Sequence, residues 1–580
     1  MIPINKRLVT LFIIELLFFG ILFRFFQLQV IDYEKFKDRA INKVIRIIPI
    51  SAPRGLIKDR NNLIIVNNAN SYDFQLVPYD VRDNFNYKLL LNYINVDTLT
   101  IKEKISSYKN SFDRKFTPIS LKNKISQDIV FKIREQKEEF PGLVIREVFI
   151  RDYLHNSNIN LAHVIGVVKV QNKTSFDPRK DKISLEPEGG IEKFYNQKLK
   201  GIPGREYRLF DAAGMDREIY SGDLYNHIKA TEGEDVNLTI DIELQEFIYQ
   251  TMQDFEKERH DGTIILSNPE TGEVLAYVNS PTFNIEKMLM GISHSELDSL
   301  NKSLNTPFFN RGINPYPSGS IMKIPSSIML LEEGFDENTL YECNGKFVTH
   351  KKDTLNPDSK ERAKYCWDNH KDSVNLKTAI SKSCNVYFWR SVKYHYKSIY
   401  KDKWNDWTNR LGFSNVTNID LLYEKKASLD SHLAKSHMIN KSIGQGESKV
   451  TPVQVIQMIN VIANNGFLIR PHLNKGLSIY KENVGLQKST LTFIQEAMKD
   501  AVEAGTAQGS NIENVVIRAK TGTAELGKYK DMNNNGKGGK GEKYHKDFNN
   551  NGKIDEGEML REPQYMNAWY AGYMEYGENK

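Results

Sequence analysis

The chain has 580 residues, enough for more than one folded domain. Charged residues make up 26% and apolar residues 40%, an ordinary globular mixture, and a net charge of +6 implies no nucleic-acid partner. Three cysteines are too few, and odd in number, for a disulfide framework.

Residues 1–7 form a short basic tail (Lys6, Arg7), and 8–30 are apolar over a length that spans a bilayer, interrupted by Glu15 and Arg24. No small-residue cleavage site follows, so this stretch reads as an uncleaved signal-anchor, with the tail in the cytoplasm and all that follows residue 30 outside. Arg24 lies near the outer end and can snorkel to the interface. Glu15 either faces a membrane partner or marks a tilted or shallow helix.

Residues 31–232 carry no nucleophile constellation, and short alternating segments at 44–50, 74–77 and 143–150 predict an elongated, strand-rich module. Within it, Arg54-Gly55-Leu56-Ile57-Lys58-Asp59-Arg60 reads as an ion-pair node. Gly190-Ile191-Glu192-Lys193-Phe194-Tyr195 reads as a short helix closed by a turn at Gly201 and Gly204. The pattern then changes, and 233–580 is a second domain. It opens with a strand at 236–240 and a helix at 242–258. A hairpin of 263–267 and 273–279 follows, turning at Asn268-Pro269-Glu270-Thr271-Gly272. That order predicts an α+β domain, an antiparallel sheet flanked by helices.

Tyr316-Pro317-Ser318-Gly319-Ser320-Ile321-Met322-Lys323 leads into an apolar run (Ile324, Ile328, Met329, Leu330, Leu331). On a helix, the spacing of Ser320 and Lys323 puts hydroxyl and amine on one face, with the serine at the N-terminal end, where free N–H groups favour developing negative charge. A serine hydroxyl needs a base within hydrogen-bond reach, and a partly buried lysine with a lowered pKa can be that base. Downstream come Ser383-Cys384-Asn385 and, after the apolar Val515, Val516 and Ile517, Lys520-Thr521-Gly522-Thr523.

All three cysteines, Cys343, Cys366 and Cys384, lie between the nucleophile segment and the position just past Ser383, with His370 four residues after Cys366. Three thiolates and one imidazole suit a tetrahedral zinc ion with no position left open for catalysis. A disulfide between Cys366 and Cys384 is the alternative outside the cytoplasm.

The insertion 527–562 is longer and more polar than a hairpin needs. Asp547 to Glu558 matches a twelve-residue EF-hand loop, with Asp547, Asn549, Asn551, the Lys553 carbonyl, Asp555 and Glu558 as calcium ligands and Gly552 at the turn. A weaker copy (Asp531, Asn533, Asn535, Gly536, Glu542) has Gly538 and Gly539 where the apolar and ninth residues belong. Nearby lysines (Lys537, Lys540, Lys543, Lys546) oppose a cation, so a flexible Asn/Gly/Lys insertion is the other reading.

S-x-x-K, S-x-N and K-T-G-T in this order resemble the penicillin-binding proteins and serine β-lactamases. With the R-G-x-I-x-D-R, G-I-E-x-x-Y, T-I-D-x-x-L-Q (Thr239 to Gln245) and Gly444-Gln445-Gly446 elements, nearly the whole chain resembles a class B penicillin-binding protein of the elongation-type (penicillin-binding protein 2) branch. The resemblance implies a membrane-anchored, penicillin-sensitive D,D-transpeptidase that cross-links peptidoglycan stem peptides in the periplasm. It needs no organic cofactor. Its first domain would be a non-catalytic pedestal contacting a SEDS-family glycan polymerase and other elongation-complex proteins. Ser320 would be the nucleophile and Lys323 its base. Ser383 and Asn385 would relay protons and hold the substrate amide, and Lys520, Thr521 and Thr523 would take a terminal carboxylate. Gly522 would let the substrate backbone lie flat, and the N–H groups of Ser320 and Thr523 would form the oxyanion hole. Many elongation-type members carry zinc at the four Cys and His places. Ser318 departs from the family's usual second proline. The family normally continues past the strand at 567–574 with another strand and a helix, so a C-terminally truncated, poorly stable domain is expected. The rivals are a division-type relative and a catalytically silent cell-wall scaffold.

Overall fold

The structure is a computed structural model that describes residues 6–33, 45–94, 97–110, 118–173, 182–210, 216–219, 226–256, 261–290, 292–302, 306–350, 362–370, 373–429, 434–446, 448–525 and 566–575. Both calcium-loop candidates, at 531–542 and 547–558, lie outside these residues. The first element is a helix, Lys6–Phe26, extended by one wide turn, Gln27–Ile31. Leu11, Phe12, Leu16, Phe19 and Phe23 are all more than half exposed on it, and Leu11–Ile31 is long and apolar enough to cross a membrane.

The first domain is built on one long strand, Ile64–Leu76. It pairs along its length with Leu143–Tyr153, in register from Val66 opposite Tyr153 to Leu76 opposite Leu143, and with Ile119–Ile125 on its other side. Two short strands complete the sheet: Ile57–Lys58 pairs antiparallel with the start of the long strand, and Val236–Asn237 joins Ile57–Lys58 in parallel. A smaller sheet holds Ile45–Ile50, Gly204–Phe210 and Asp216–Ile219. The sequence pattern suggests mostly strands here, yet three helices, Tyr87–Tyr93, Thr98–Lys109 and Gln127–Glu135, take part in the core under the sheet. Ile101 and Ile105, one turn apart, and Val130 and Ile133 turn inward against Phe74 and Leu76. Asn86 and Asp97 cap the first two of these helices by accepting from Leu89 N and Leu99 N.

The two sequence motifs of this domain meet in one buried knot. Both carboxylate oxygens of Glu192 are used. One accepts from Arg151 Nε at 2.6 Å, and the other from Arg54 Nε at 3.0 Å and Nη2 at 2.5 Å. Gly55 O takes Arg151 Nη2 at 2.8 Å, and Asn196 takes Arg54 Nη1 at 2.9 Å. Burial pushes the Arg54 pKa down, and the Glu192 charge opposes that. Close backbone approach brings Glu192 there: a Cβ on Gly190, whose φ is +59°, would stand 2.4 Å from the Ile165 carbonyl.

The second domain begins with the helix Ile242–Glu256 packed on the antiparallel hairpin Gly262–Ser267/Val274–Ser280. Its core surrounds Lys323–Glu332, whose residues 323–330 are all buried, and includes Asn385–His395, Pro452–Ala463 and Lys488–Glu503. A second long hairpin, Val516–Glu525/Met566–Glu575, is in register from Val516 opposite Glu575 to Glu525 opposite Met566. Helix Pro452–Ala463 packs beneath both hairpins, and Thr451 and Gln454 close its N-terminus as a capping box. The two domains share a core: Ile57, Ile65 and Leu199 of the first pack with Val274, Ile419 and Leu473 of the second. Tyr195 Oη donates to Asp420 at 2.8 Å across that joint.

Removing the one anion between two buried guanidiniums leaves charge uncompensated. Glu192→Gln should therefore cost about 3–5 kcal/mol in equilibrium urea unfolding. An unchanged midpoint would show that the knot contributes little.

Candidate active site

Ser320 lies in a tight turn, Gly319–Met322, that runs straight into the helix Lys323–Glu332. Gly319 has φ +53°, and a Cβ there would sit 2.7 Å from Thr523 O and 3.0 Å from Thr523 N. The serine turn and the K-T-G strand are therefore in backbone contact, and only glycine permits it. Gly522 has a similar role. A Cβ on it would meet Ser318 O and Ile321 Cγ1 at 3.0 Å, so its missing side chain makes room for the nucleophile turn, where the sequence suggested room for substrate. Trp569, from the paired strand, donates to Pro317 O at 2.8 Å and fixes the approach to the turn.

Lys323 is fully buried, and its Nζ lies 3.0 Å from Ser320 Oγ, 3.0 Å from Ser383 Oγ, 2.7 Å from Asn385 Oδ1 and 2.6 Å from Ser383 O. Burial lowers its pKa to about 8, against the opposing influence of Cys384 and Cys366. An amine poised near neutrality between two hydroxyls can take a proton from one and pass it to the other. Ser383 is held in the left-handed region, φ +55°, which is strained for a residue with a Cβ. Its carbonyl accepts from Lys323 and also from the indole N–H of Trp367 at 3.1 Å.

Lys520 is fully buried, and burial with the nearby charge of Lys323 pushes its pKa well below the usual lysine range. It donates to Thr521 O at 2.8 Å, and the Thr521 hydroxyl is bonded to that of Thr506 at 2.6 Å. Thr523 is exposed, and its carbonyl accepts from Gln445 at 3.2 Å. Ser320, Lys323, Ser383, Asn385, Lys520 and Thr523 thus gather at one cleft. Trp367, Trp569 and Thr506 were not picked out from the sequence, since a lone tryptophan or threonine carries no motif.

The second cluster adjoins the first. The ligand atoms of Cys343, Cys366, His370 and Cys384 all lie within 4.8 Å of one another. The neighbouring Cys384 thiol lowers the pKa values of Cys343 and Cys366 well below the usual thiol range, and that of Cys384 is raised in turn. His370 presents Nδ1 to Cys343 at 3.3 Å and to Cys366 at 4.0 Å, while its Nε2 faces Lys382 O at 3.3 Å. A ring held by its far nitrogen on a carbonyl is the usual second contact of a metal-binding histidine. All three cysteines are free thiols, so no Cys366–Cys384 disulfide is formed. Cys366 Sγ also accepts from Asn385 N at 3.2 Å, which ties this cluster to the start of the Asn385 helix.

The sequence pattern of the penicillin binding protein transpeptidase domain matches residues 262–580, and that of the penicillin-binding protein dimerisation domain matches 49–238. The chain is 28% identical to the peptidoglycan D,D-transpeptidase MrdA of Acinetobacter baumannii, over 87% of this chain and 75% of that protein. Its fold is similar to the penicillin-binding protein PBP2 of Helicobacter pylori solved in complex with MreC, with a TM-score of 0.65 and 22% identity, covering 83% of this chain and 90% of that one. It is also similar to a chain from a peptidoglycan synthase complex that coordinates polymerization and crosslinking, with a TM-score of 0.62 and 23% identity over 90% of this chain and 88% of that one.

Proposed function

The chain belongs to the class B penicillin-binding proteins, and from that premise we propose how its cleft works as a peptidoglycan D,D-transpeptidase of cell-wall elongation. The observation that carries the reading is the Lys323 amine, buried and within hydrogen-bond reach of Ser320 Oγ, Ser383 Oγ and Asn385 Oδ1. Neutral Lys323 takes the Ser320 proton as Oγ attacks the penultimate D-alanine carbonyl of a stem peptide. A Ser320 ester forms, the C–N bond to the terminal D-alanine breaks, and the proton reaches the departing amine by way of Ser383. An amine from a neighbouring stem then attacks the ester and restores Ser320. The backbone N–H groups of Ser320 and Thr523 stabilise the oxyanion, and the contact between Gly319 and Thr523 supports their closeness. Asn385 holds the substrate amide. Lys520 and Thr523 receive the terminal carboxylate, with Thr521 beside them, and that carboxylate restores the charge burial disfavours on Lys520. β-Lactams acylate Ser320 by the same route.

The basic tail (Lys6, Arg7) supports the reading in which the catalytic domain stands on the outer, periplasmic face of the inner membrane. The first domain docks partners of the elongation complex, a SEDS-family polymerase among them; that the two structural relatives were solved in complexes, one with MreC and one in a peptidoglycan synthase, supports the reading.

Ser320→Ala should abolish covalent labelling by fluorescent penicillin while leaving the melting temperature nearly unchanged. In the parent chain, the labelling rate should rise with pH and level off with a midpoint near about 8, since the reactive form of Lys323 is the neutral one. Labelling that survives in Ser320→Ala, or that falls as pH rises through this range, refutes the assignment.

The Cys343, Cys366, His370 and Cys384 set fits structural zinc. The three sulfurs and one imidazole nitrogen lie within 4.8 Å of one another, and the imidazole is already oriented by Lys382 O. A bound zinc ion would supply charge neutralisation and a fixed wall to the cleft, with no open position for chemistry. Elemental analysis of chelator-free protein should find about one zinc per chain, and stripping it should lower the melting temperature. Metal-free protein with full labelling would count against the site.

The Asp547 to Glu558 loop is proposed as a weak calcium site on its twelve-residue ligand pattern alone. Calcium titration of the full chain should show binding with Kd on the order of 10⁻⁴ to 10⁻³ M, lost in Glu558→Gln. No heat up to millimolar calcium leaves only the reading of a flexible Asn/Gly/Lys insertion.

A further inference from the structure

A cavity of about 490 Å³ opens on the second domain, and none of its lining residues belongs to the Ser320 cleft. Its walls are the end of helix Lys401–Arg410, the loop at 412–418 and the short hairpin Phe467–Ile469/Lys481–Asn483. Gln457 lines it and is only 5% exposed. Its Nε2 donates to Ile469 O at 3.1 Å, while Oε1 has no partner among the described residues. Gly412 (φ +90°) lies over that oxygen, since a Cβ there would stand 2.7 Å from it. The missing side chain leaves that acceptor open to the cavity.

The cavity's charged lining is two guanidiniums and one carboxylate. Arg410 lies over the Trp407 ring at 4.8 Å and pairs with Asp406 at 3.5 Å. Glu482 takes the Tyr480 hydroxyl at 3.3 Å. Arg470 is different. It is half-buried, and its Nε donates to Asn418 O at 2.5 Å, while no carboxylate among the described residues forms an ion pair with its terminal nitrogens. With Nε engaged, those two nitrogens form a fork that a carboxylate fits with both oxygens. A terminal carboxylate accompanied by an amide N–H serves both the fork and the Gln457 oxygen. The wall residue Asn418 is followed by Ile419, Asp420 and Leu421, which belong to the joint with the first domain, so cavity and joint share one stretch of backbone.

We propose that this cavity is a second, non-catalytic binding site for short peptides ending in a free carboxylate, with Arg470 and Gln457 as its recognition groups. The test uses the full chain in detergent, treated with penicillin to block the Ser320 cleft, and titrated calorimetrically with N-acetyl-D-alanyl-D-alanine. The blocked chain should bind the dipeptide and ignore its C-terminal amide. Arg470→Met should weaken binding by at least about tenfold, the worth of a charged hydrogen-bond pair. Gln457→Leu should weaken it as well. Unchanged melting temperatures confirm that both variants are folded. No binding to the blocked chain, equal binding by Arg470→Met, or equal binding of the amide overturns the proposal. The comparison of parent with Arg470→Met holds whether or not penicillin reacts, so a failure of labelling bears on the Ser320 chemistry alone.

Discussion

A lysine amine with no exposure to water and no carboxylate beside it is unfavourable to keep charged, and the second domain is arranged around one. Lys323 lies at the base of the nucleophile turn and meets four oxygens from three residues. Two of them are Ser383 atoms, and the carbonyl reaches inward only because Ser383 adopts a left-handed backbone. A Cβ-bearing residue stays in that conformation when its surroundings hold it. Here the holders are Trp367, which donates to the same carbonyl, and Cys384, the next residue, packed into the thiol cluster. Burial lowers the Lys323 pKa, and the cage of oxygens around Nζ, one of them held by the strained Ser383 backbone, works against that by satisfying the amine's protons.

That cage explains why the cysteine cluster adjoins the site. Cys366 Sγ accepts from the first N–H of the helix that carries Asn385, a task more often given to a serine or aspartate side chain. The cluster therefore sets where Asn385 begins, and Asn385 sets one face of the cage. On the opposite bank, Gly319 and Gly522 let two backbones touch, which fixes Thr523 relative to Ser320 without any side-chain contact between them. One bank is positioned by sulfur and the other by the absence of side chains.

Much of this could be read in the sequence, because motif residues carry their chemistry with them. Ser320, Lys323, Ser383 and Asn385 converge as their spacing suggested, and Cys343, Cys366, His370 and Cys384 gather from positions scattered over some forty residues. The hairpin around Asn268 and Gly272 was equally plain, since alternation and turn residues are local signals. What escaped was non-local. The helix Thr98–Lys109 buries only Ile101 and Ile105, too narrow a stripe to stand out in a polar stretch. Trp367 and Trp569 act through indole N–H groups on carbonyls far away in the chain. The strand at 236–240 was expected to open the second domain, whereas Val236–Asn237 pairs with Ile57–Lys58 in the first. Partner choice of a short strand is not written in its own residues.

That last pairing has a bearing on biosynthesis. Leu56 N donates to Asp235 Oδ1 across 179 positions, and Arg54 is bound to Glu192 across 138. Synthesis from the N-terminus makes the edge of Ile57–Lys58, and the guanidinium of Arg54, long before the residues that cover them. The sheet of the first domain is therefore complete only once residues 235–237 have been made, so its edge strand waits for a partner that closes it from 179 positions further along the chain.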